Sequence, residues 1–464
     1  MLERIRSSAY VAFSLASVLV FGCGSDEPDE CVPGTSTGCD EGLVCERVQG
    51  GTPACFAPIF VEGRVFDALT DLGLPGATVV AIDANGAPAS DVVESGAEGV
   101  YSLPVPTERD ASGAPIAQQV TLRADAAGYQ TFPAAPRTGI PIELSSAVDG
   151  VVTNAATDIA LFERDERGSG VATVRGTVEG VGGGGVLVVA EQSDRAVSSA
   201  ISGSDGSFVL FDVPTSSTTI RGYAAGVRIT SADVSAVAPE TTGVRLTATT
   251  EGLTTITGAV QIVNAPGGSQ TSVIMVLEST FVESTARGES PPGLRDAPVS
   301  GAFEIAGVAP GRYVVLAGFE NDGLVRDPDT GIGGTEIVHI EVPEGGGTME
   351  LAQSFKVTEA LAVLSPGAET IETVTTSTPT FRWEDDSSED GYELRVYDAY
   401  GNELLHEPDL PNVSGGTPEY TWTGASLEPG MVYQFRVWSF RDRSGGRTLI
   451  SATEDLRGVF VYEP

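Results

Sequence analysis

One short strand pattern occurs three times in this chain of 464 residues and restricts its fold more than any other feature. The copies lie at residues 61–65 (VEGRV), 174–178 (VRGTV) and 256–260 (ITGAV). Each alternates apolar and polar residues around a central glycine, which is typical of a half-buried β-strand. A glycine in mid-strand indicates a bulge or a close approach of another backbone. The copies are about 80 to 110 residues apart, which predicts one β-sandwich per copy and not a solenoid.

A second motif follows each copy and supports the same architecture. A turn glycine precedes an aromatic residue that begins a strand, at residues 99–103, 205–210 and 301–305. A third element containing Gly-Tyr closes the first two units, at residues 122–129 and 220–226. Glycine accounts for 57 residues and hydrophobic residues for 41% of the chain. This composition favours real cores built from short strands and turns.

The three units resemble the carboxypeptidase regulatory-like family, whose domains are transthyretin-like seven-stranded sandwiches. In the first unit the resemblance is carried by residues 63–67 (GRVFD), 74–79 (LPGATV), 99–101 (GVY) and 127–129 (AGY). The second and third units are similar mainly at the turns 205–208 (DGSF) and 310–313 (PGRY). The resemblance covers residues 60 to about 356. It implies three structural or binding modules, and the family name does not imply peptidase activity.

The last part of the chain, residues 358–464, has a different pattern. Trp383 lies on an early predicted strand, and the stretch LEPGMVY ends at Tyr433, just before a late strand. These features resemble the fibronectin type III sandwich, with Tyr433 as its tyrosine corner. In the late strand, alternate residues from Tyr433 onward are predicted to share one face, and Gln434 and Arg436 the other.

The N-terminal segment predicts export. Residues 1–8 carry two arginines, and residues 9–22 form an uncharged stretch that is too short to span a bilayer as a helix. Val-Phe-Gly before Cys23 resembles a bacterial lipoprotein signal, which implies that Cys23 is lipidated. Gly24 resembles the outer-membrane sorting pattern of Gram-negative lipoproteins, which implies an exported protein of the cell envelope at the outer membrane. Surface exposure is a further expectation that goes with the predicted display function. The alternative is an ordinary signal peptide with an incidental cysteine.

Four further cysteines lie within 25 residues: Cys31, Cys39, Cys45 and Cys55. An even number of cysteines in an exported chain predicts two disulfides, and three pairings are possible. A zinc site is the rival interpretation, but it usually needs tighter cysteine pairs than these. Residues 23–59 are therefore predicted to be a short disulfide-rich tether.

Charge excludes one class of partner. The chain has 64 acidic and 26 basic residues, a net charge of −38. Such a surface repels nucleic acid and anionic membrane, since both are bound through lysine and arginine. It favours solubility and divalent cations.

No catalytic signature is present. Two histidines occur: His339 is predicted on the wet face of a strand, and His406 near a loop. No nucleophile elbow, zinc-protease motif or phosphate-binding loop accompanies them. The glycine run 182–185 precedes a predicted strand, and the acidic stretch 327–331 matches a turn. The chain is therefore predicted not to be an enzyme.

One acidic segment resembles the start of a calcium loop. Asp386, Ser388 and Asp390 place oxygens at positions 1, 3 and 5, and Gly391 follows at position 6. Position 12, which should be a glutamate, is Tyr397. These residues are calcium candidates, and an acidic hairpin between two strands is the alternative.

Together these patterns predict an all-β chain of tandem sandwiches behind a signal peptide and a disulfide-rich tether. The predicted limits are 1–22 (signal), 23–59 (tether), 60–166, 170–250 and 251–357 (transthyretin-like), and 358–464 (fibronectin type III-like). The predicted function is display: a lipid-anchored stalk or adhesion protein that binds protein or glycan through its loops. The alternative is a periplasm-facing accessory lipoprotein of a transport or secretion complex.

Overall fold

The computed structural model describes most of the chain from Cys31 onward. The described ranges are 31–83, 86–133, 139–164, 170–181, 185–263, 271–283, 287–318, 337–358, 360–386, 389–413, 415–444, 446–454 and 456–464. Within them the chain forms β-strands and three single-turn 3₁₀ helices, which confirms the all-β prediction. The described residues contain no helix that could span a bilayer.

The N-terminal module is a small hairpin closed by two disulfides. Its strands are β1 (Val44–Glu46) and β2 (Ala54–Phe56), which pair antiparallel. Cys31 bonds to Cys45 and Cys39 to Cys55, which settles the pairing that the sequence left open. The thiols are consumed in these bonds, so the zinc alternative is wrong.

This module is docked on the first sandwich. Glu46 is buried and forms an ion pair with the buried Arg109, whose Nη2 donates to the carbonyl of Ala57 at 2.9 Å. The Arg109 guanidinium also lies over the Phe56 ring, 4.9 Å from its centroid. Residues 31–58 are thus held by a buried charge pair, where the sequence indicated only a tether.

The first sandwich consists of two four-stranded sheets. Its strands are β3 (Ile59–Asp67), β4 (Thr78–Ile82), β5 (Val93–Glu94), β6 (Val100–Val105), β7 (Gln119–Asp125), β8 (Ile142–Glu143), β9 (Val151–Val152) and β10 (Ile159–Leu161). One sheet has the order β10-β3-β6 with β9 on β3, and the other has the order β5-β4-β7-β8. Two 3₁₀ turns, Ala97–Gly99 and Leu144–Ser146, belong to the connections.

The second unit is one continuous sheet of eight strands. They are β11 (Val171–Glu179), β12 (Leu187–Gln192), β13 (Arg195–Ile201), β14 (Ser207–Pro214), β15 (Ser217–Ala224), β16 (Val227–Ile229), β17 (Ala232–Ser235) and β18 (Glu240–Thr249). The order is β13-β12-β15-β16-β18-β11-β14, with β17 on β15. Because β16 pairs with both β15 and β18, it joins the two layers around one core.

The third sandwich again has two four-stranded sheets. Its strands are β19 (Thr254–Val263), β20 (Thr271–Leu277), β21 (Arg295–Val299), β22 (Ala302–Val308), β23 (Gly311–Gly318), β24 (Val338–Val342), β25 (Gly347–Glu350) and β26 (Phe355–Thr358). The sheets are β22-β19-β25, with β26 on β19, and β21-β20-β23-β24. A 3₁₀ turn, Glu278–Thr280, follows β20.

The fourth sandwich has a three-stranded and a six-stranded sheet. Its strands are β27 (Val363–Ser365), β28 (Glu372–Val374), β29 (Thr380–Trp383), β30 (Gly391–Asp398), β31 (Glu403–Pro411), β32 (Glu419–Thr421), β33 (Val432–Arg443), β34 (Gly446–Ala452) and β35 (Val459–Tyr462). The sheets are β27-β29-β32 and β28-β35-β33-β30-β31, with β34 on β33.

The predicted corner residue of this sandwich makes a corner contact. The Tyr433 hydroxyl accepts a hydrogen bond from the backbone N–H of Glu428 at 2.7 Å. The other face of β33 is buried as well, since Arg436 donates to the Thr453 carbonyl at 2.7 Å and Gln434 to the Arg457 carbonyl at 3.0 Å. The alternation in β33 therefore separates an apolar face from a buried polar one.

The three mid-strand glycines lie where another group comes too close for a side chain. A Cβ on Gly63 would lie 2.1 Å from the Thr157 carbonyl oxygen. A Cβ on Gly176 would lie 2.4 Å from the Phe208 ring, and one on Gly258 would lie 2.6 Å from the Phe303 ring. The close approach of another backbone that the motif predicted is confirmed at Gly63 and at Gly176, where a Cβ would also lie 2.4 Å from the Val244 carbonyl oxygen. At Gly258 the group that comes close is a side-chain ring instead.

The sandwiches pack against one another beyond chain neighbours. One apolar cluster combines Val80 of the first sandwich, Leu187 of the second, the core of the third and Ala452 of the fourth. Phe66 of the first sandwich also meets Tyr400 of the fourth edge to face, with ring centroids 5.4 Å apart. This packing differs from a stalk, in which each module touches only the next one.

Candidate functional site

Several predicted site residues lie outside the described residues. These are Cys23, Ser388, the stretch 327–331 and most of the glycine run 182–185. Asp386 and Asp390 are described, and they have different partners. The Asp386 carboxylate accepts from the Ser439 hydroxyl at 2.7 Å, and the Asp390 carboxylate accepts from the Asp442 N–H at 2.8 Å.

The acidic-hairpin alternative is wrong. The strands on either side of the acidic segment, β29 and β30, belong to different sheets of the fourth sandwich. The segment is therefore a crossover from one sheet to the other. Sequence periodicity identified both strands but could not show that their partners differ.

The two histidines lie on strands. His339 in β24 is exposed, as predicted, with its Nδ1 3.6 Å from a Glu278 carboxylate oxygen. His406, predicted near a loop, lies inside β31, and its Nε2 is 2.9 Å from a Glu393 carboxylate oxygen. Among the described residues, the only compact group of three potential metal ligands is Cys31, Cys39 and Cys55, which are disulfide-bonded.

A polar cleft lies between the second and third sandwiches. It has a volume of about 360 Å³ and is lined on one side by β15, β16 and the end of β18. The turns 309–310 and 343–346 of the third sandwich provide the other side, including Glu344. We call it the junction cleft.

Backbone contacts fix the width of the junction cleft. The N–H of Gly226 donates to the Gly307 carbonyl at 2.9 Å, and the N–H of Ala225 donates to the Pro292 carbonyl at 2.9 Å. Gly307 has a φ of +74° and lies so close to Gly226 that a Cβ would be 2.4 Å from its nitrogen. The two sandwiches are thus joined by hydrogen bonds between their main chains.

Two arginines supply the charge of the junction cleft, and each has a glutamate partner. Arg228 binds Glu344 with both terminal nitrogens, at 2.6 and 3.0 Å, across the junction. Arg221 binds Glu191 at 3.0 Å within the second sandwich. The four charges balance, while both arginine side chains keep a large exposed fraction, 39% for Arg228 and 47% for Arg221.

Tyr223 contributes an aromatic side chain to the junction cleft. Its ring meets Tyr313 edge to face, with centroids 6.3 Å apart, and the Tyr313 hydroxyl donates to the Ala309 carbonyl at 3.0 Å. Burial, reinforced by the nearby Glu191 carboxylate, raises the pKa of Tyr223 above its usual value. Tyr223 therefore stays neutral and able to donate a hydrogen bond over the physiological pH range.

The lining suits hydrogen bonding to a polyol better than bond-breaking chemistry. Thr230, Ser231 and Thr249 add hydroxyl groups beside the two arginines. The one carboxylate in the lining, Glu344, is held by Arg228. The arrangement can bind a neutral molecule that carries several hydroxyl groups.

The sequence contained part of this site. Arg221 and Tyr223 belong to the third repeated element, residues 220–226, which we used only to define repeats. Arg228 lies two residues beyond that element, and Glu344 more than one hundred residues later. Only the packing of the two sandwiches brings them together.

Comparisons with known proteins do not assign a family. No family profile and no curated protein matches the chain. Solved structures with some likeness include the TIE protein of Bacillus anthracis, at 9% identity, covering 86% of this chain and 72% of that one, with a TM-score of 0.15. The minor pilin GBS52 of Streptococcus agalactiae is 10% identical, over 40% and 95% of the two chains, with a TM-score of 0.18.

A third likeness is to the shaft pilin SpaA of Lactobacillus rhamnosus GG. It is 13% identical, over 45% of this chain and 99% of that one, with a TM-score of 0.16. TM-scores this low identify neither the fold nor the function of this chain. The functional argument therefore rests on its own residues.

Proposed function

We propose that the chain is an exported, non-enzymatic binding protein of the bacterial cell envelope, anchored by a lipid on Cys23, that holds a neutral glycan in the junction cleft. The observation that carries the proposal is the lining of that cleft: two half-exposed arginines, one glutamate, a neutral tyrosine and three hydroxyl residues. Planar guanidinium donors and carboxylate acceptors of this kind can each hydrogen-bond two neighbouring hydroxyl groups of a sugar.

Charge favours a neutral ligand. The chain as a whole carries −38, so an anionic polymer is repelled before it reaches the surface. Glu344 in the lining offsets Arg228, and Glu191, which lies outside the lining, offsets Arg221, so no net positive charge remains to attract an anion. The volume of about 360 Å³ is at the lower end of small-ligand sites and suits one or two sugar residues better than a protein surface.

The anchor and the sandwich types support the same proposal from the sequence. The signal segment with Cys23 would tether the protein to the outer membrane, facing outward. The transthyretin-like and fibronectin type III-like patterns are those of modules that bind or display. Protease shaving of intact cells tests the placement: release of peptides from residues 358–464 supports surface display, and full protection supports the periplasmic alternative.

The cleft is tested with two arginine variants of the second sandwich. Arg221→Ala removes a donor from the lining, whereas Arg245→Ala removes an exposed arginine that pairs with Glu179 elsewhere on this unit. We expect wild type to bind neutral oligosaccharides on a glycan array, Arg221→Ala to bind at least tenfold more weakly, and Arg245→Ala to match wild type. A charge-assisted hydrogen bond of about 1.5 to 3 kcal/mol gives this magnitude.

Two results would contradict the proposal. One is the absence of binding to any neutral glycan by wild type at millimolar concentration. The other is an equal loss of binding in both variants, which would show a general effect of charge and not a contact in the cleft.

A further inference from the structure

The two disulfides of the N-terminal module lie against each other. We call the Cys31–Cys45 bond the inner disulfide and the Cys39–Cys55 bond the outer disulfide. The sulfur atoms of Cys31, Cys39 and Cys55 all lie within 4.8 Å of one another, and the Cys45 sulfur is not part of this group. Cys31 is therefore the end of the inner disulfide that faces the outer one.

The two disulfides differ in their access to solvent. Both cysteines of the inner disulfide are buried, with Cys45 0% and Cys31 9% exposed. Both cysteines of the outer disulfide are half-buried. A disulfide is reduced when a thiolate reaches one of its sulfur atoms, so the accessibility of those atoms controls the rate. A dissolved thiol therefore meets the outer disulfide first.

The disulfides are the main attachment of the loop 31–39 to the hairpin. Cys45 and Cys55 lie opposite each other on β1 and β2, and their partners are the two ends of the loop. None of the loop residues between those ends is buried. Two backbone hydrogen bonds add to the attachment: the Gly34 N–H donates to the Cys45 carbonyl at 2.8 Å, and the Cys45 N–H donates to the Thr35 carbonyl at 2.9 Å. A segment this small and exposed depends on its cross-links.

We propose that the module is a redox-sensitive latch, in which a dithiol reductant opens the outer disulfide and the freed Cys39 thiolate then displaces Cys45 from the inner one. In the first step the dithiol gives two electrons to the outer disulfide, which becomes two thiols, and the dithiol is itself oxidised to a disulfide. In the second step Cys39 loses its proton and attacks the Cys31 sulfur. The Cys31–Cys39 bond forms, the bond to Cys45 breaks, and Cys45 leaves as a thiolate and takes up a proton.

The exchange releases the loop but leaves the hairpin docked. The Cys31–Cys39 bond lies within the loop, so no covalent cross-link to the hairpin remains. This bond is favoured over one between Cys31 and Cys55 because it closes a shorter stretch of chain. The hairpin keeps its buried ion pair between Glu46 and Arg109 of the first sandwich, which the exchange does not alter. The latch therefore opens between the loop and the hairpin.

One consequence rests on the proposed lipid on Cys23. While the loop is attached, the seven residues 24–30 separate the anchor from the first held residue. After release the first held residue is Val44 of β1, and residues 24–43 separate it from the anchor. At about 3.5 Å per extended residue, the reach of the anchor grows from roughly 25 Å to roughly 70 Å. A dithiol reductant at the cell envelope would thus let the protein move farther from its membrane.

The exchange is tested with a four-cysteine chain, residues 23–464 carrying Cys23→Ser, so that every cysteine belongs to one of the two disulfides. This chain is treated with limiting dithiothreitol, its thiols are blocked with iodoacetamide at intervals, and its disulfide-linked peptides are identified by mass spectrometry. We expect a one-disulfide species that carries the Cys31–Cys39 bond, with Cys45 and Cys55 blocked, to form before the fully reduced chain.

Two single variants of the four-cysteine chain form a matched pair, since each lacks the outer disulfide and keeps one thiol beside Cys31. In Cys55→Ser the free Cys39 should displace Cys45 without any reductant, so that iodoacetamide labels Cys45. In Cys39→Ser the inner disulfide should persist, and the label should fall on Cys55. Amide hydrogen exchange at Gly34 should be at least tenfold faster in Cys55→Ser than in Cys39→Ser, because only there is the loop released.

Any of three results overturns the proposal. The inner disulfide of the four-cysteine chain opens before the outer one, so accessibility does not set the order. The inner disulfide persists after the outer one has opened, or exchanges only with Cys55, so Cys39 is not the attacking group. Gly34 exchanges equally fast in the two variants, so the disulfides do not hold the loop. The tested chain carries no lipid, so none of these outcomes depends on the proposed anchor.

Discussion

Replacing Arg123 with alanine is expected to destabilise the protein by about 3 to 5 kcal/mol, the range found when one partner of a buried charge cluster is removed. Arg123, in β7 of the first sandwich, binds Asp125 at 3.1 Å and Glu289 of the third sandwich at 2.5 Å. Its Nη2 also donates to the Ser199 hydroxyl of the second sandwich at 3.1 Å, and Ser199 donates to Glu289 at 2.8 Å. One guanidinium thus connects three sandwiches.

The loss of stability in Arg123→Ala arises from the carboxylates that remain without their cation. Arg123 and Asp125 are each 7% exposed, so without the arginine the buried Asp125 carboxylate would be left beside the Glu289 carboxylate, whose side chain is only 25% exposed. Calorimetry of the variant should show the loss in the transition that includes the first three sandwiches.

Arg175→Ala is the matched control. Arg175 also connects the first and second units, through Glu94 at 2.7 Å and Glu240 at 2.8 Å, but its side chain is 40% exposed. Exposed pairs contribute about 0.2 to 1 kcal/mol. Equal losses in the two arginine variants would contradict the assignment of Arg123 as a buried junction residue.

The contribution of Arg123 to the stability of the folded protein should also depend on pH. Burial alone would raise the pKa of Glu289, but the Arg123 charge and hydrogen bonds from Arg123 and Ser199 outweigh it and hold the pKa below its usual value. A depressed carboxyl pKa stabilises the folded state above the unfolded pKa of about 4.3, and this contribution is lost as pH falls through the folded pKa. The gap between wild type and Arg123→Ala should therefore narrow between pH 6 and pH 3.

The second large loss of stability is expected at Gly63, where the structure has no space for one added methyl group. Gly63→Ala should cost about 3 kcal/mol, the upper end of the usual range for overpacking, because the new Cβ would lie 2.1 Å from the Thr157 carbonyl oxygen. That carbonyl also accepts a hydrogen bond from the buried Tyr101 hydroxyl. Backbone, unlike the end of a flexible side chain, cannot move aside without disturbing β3 and its neighbours.

Gly96→Ala provides the comparison in the same sandwich. Gly96 has a φ of −79°, and a Cβ there would meet only the Val100 carbonyl oxygen at 3.7 Å. We expect Gly96→Ala to change the free energy of unfolding by no more than about 1 kcal/mol, and its melting temperature to shift only by the corresponding amount. If Gly63→Ala were as stable as Gly96→Ala, the close approach of the Thr157 carbonyl would not explain why the motif has a glycine at position 63.

Much of the fold could be predicted from local pattern. The alternation of apolar and polar residues predicted the strands β3, β11 and β19. The glycine in the middle of each strand indicated a tight contact, and tight contacts are found at Gly63, Gly176 and Gly258. The motif LEPGMVY likewise placed Tyr433 at a corner. These features depend on residues near in sequence, where spacing and turn chemistry decide the geometry.

What could not be predicted depends on how the sandwiches meet. Arg123 and Glu289 are far apart in the chain, and nothing around either residue marks it as part of a junction. The same holds for Arg228 and Glu344 in the junction cleft. The partner sheets of β29 and β30 are also set by tertiary pairing, which local pattern does not reveal, and this is why the hairpin alternative for the acidic segment between them was wrong.

Small-angle X-ray scattering of residues 24–464 tests the central claim, that the sandwiches form one body with a fixed junction cleft. A compact chain of this length has a radius of gyration of roughly 22 Å, and we expect a value near 25 Å. Four 100-residue modules placed end to end would give roughly 40 Å. A value near 25 Å supports the shared core and the cleft, and a value near 40 Å contradicts both.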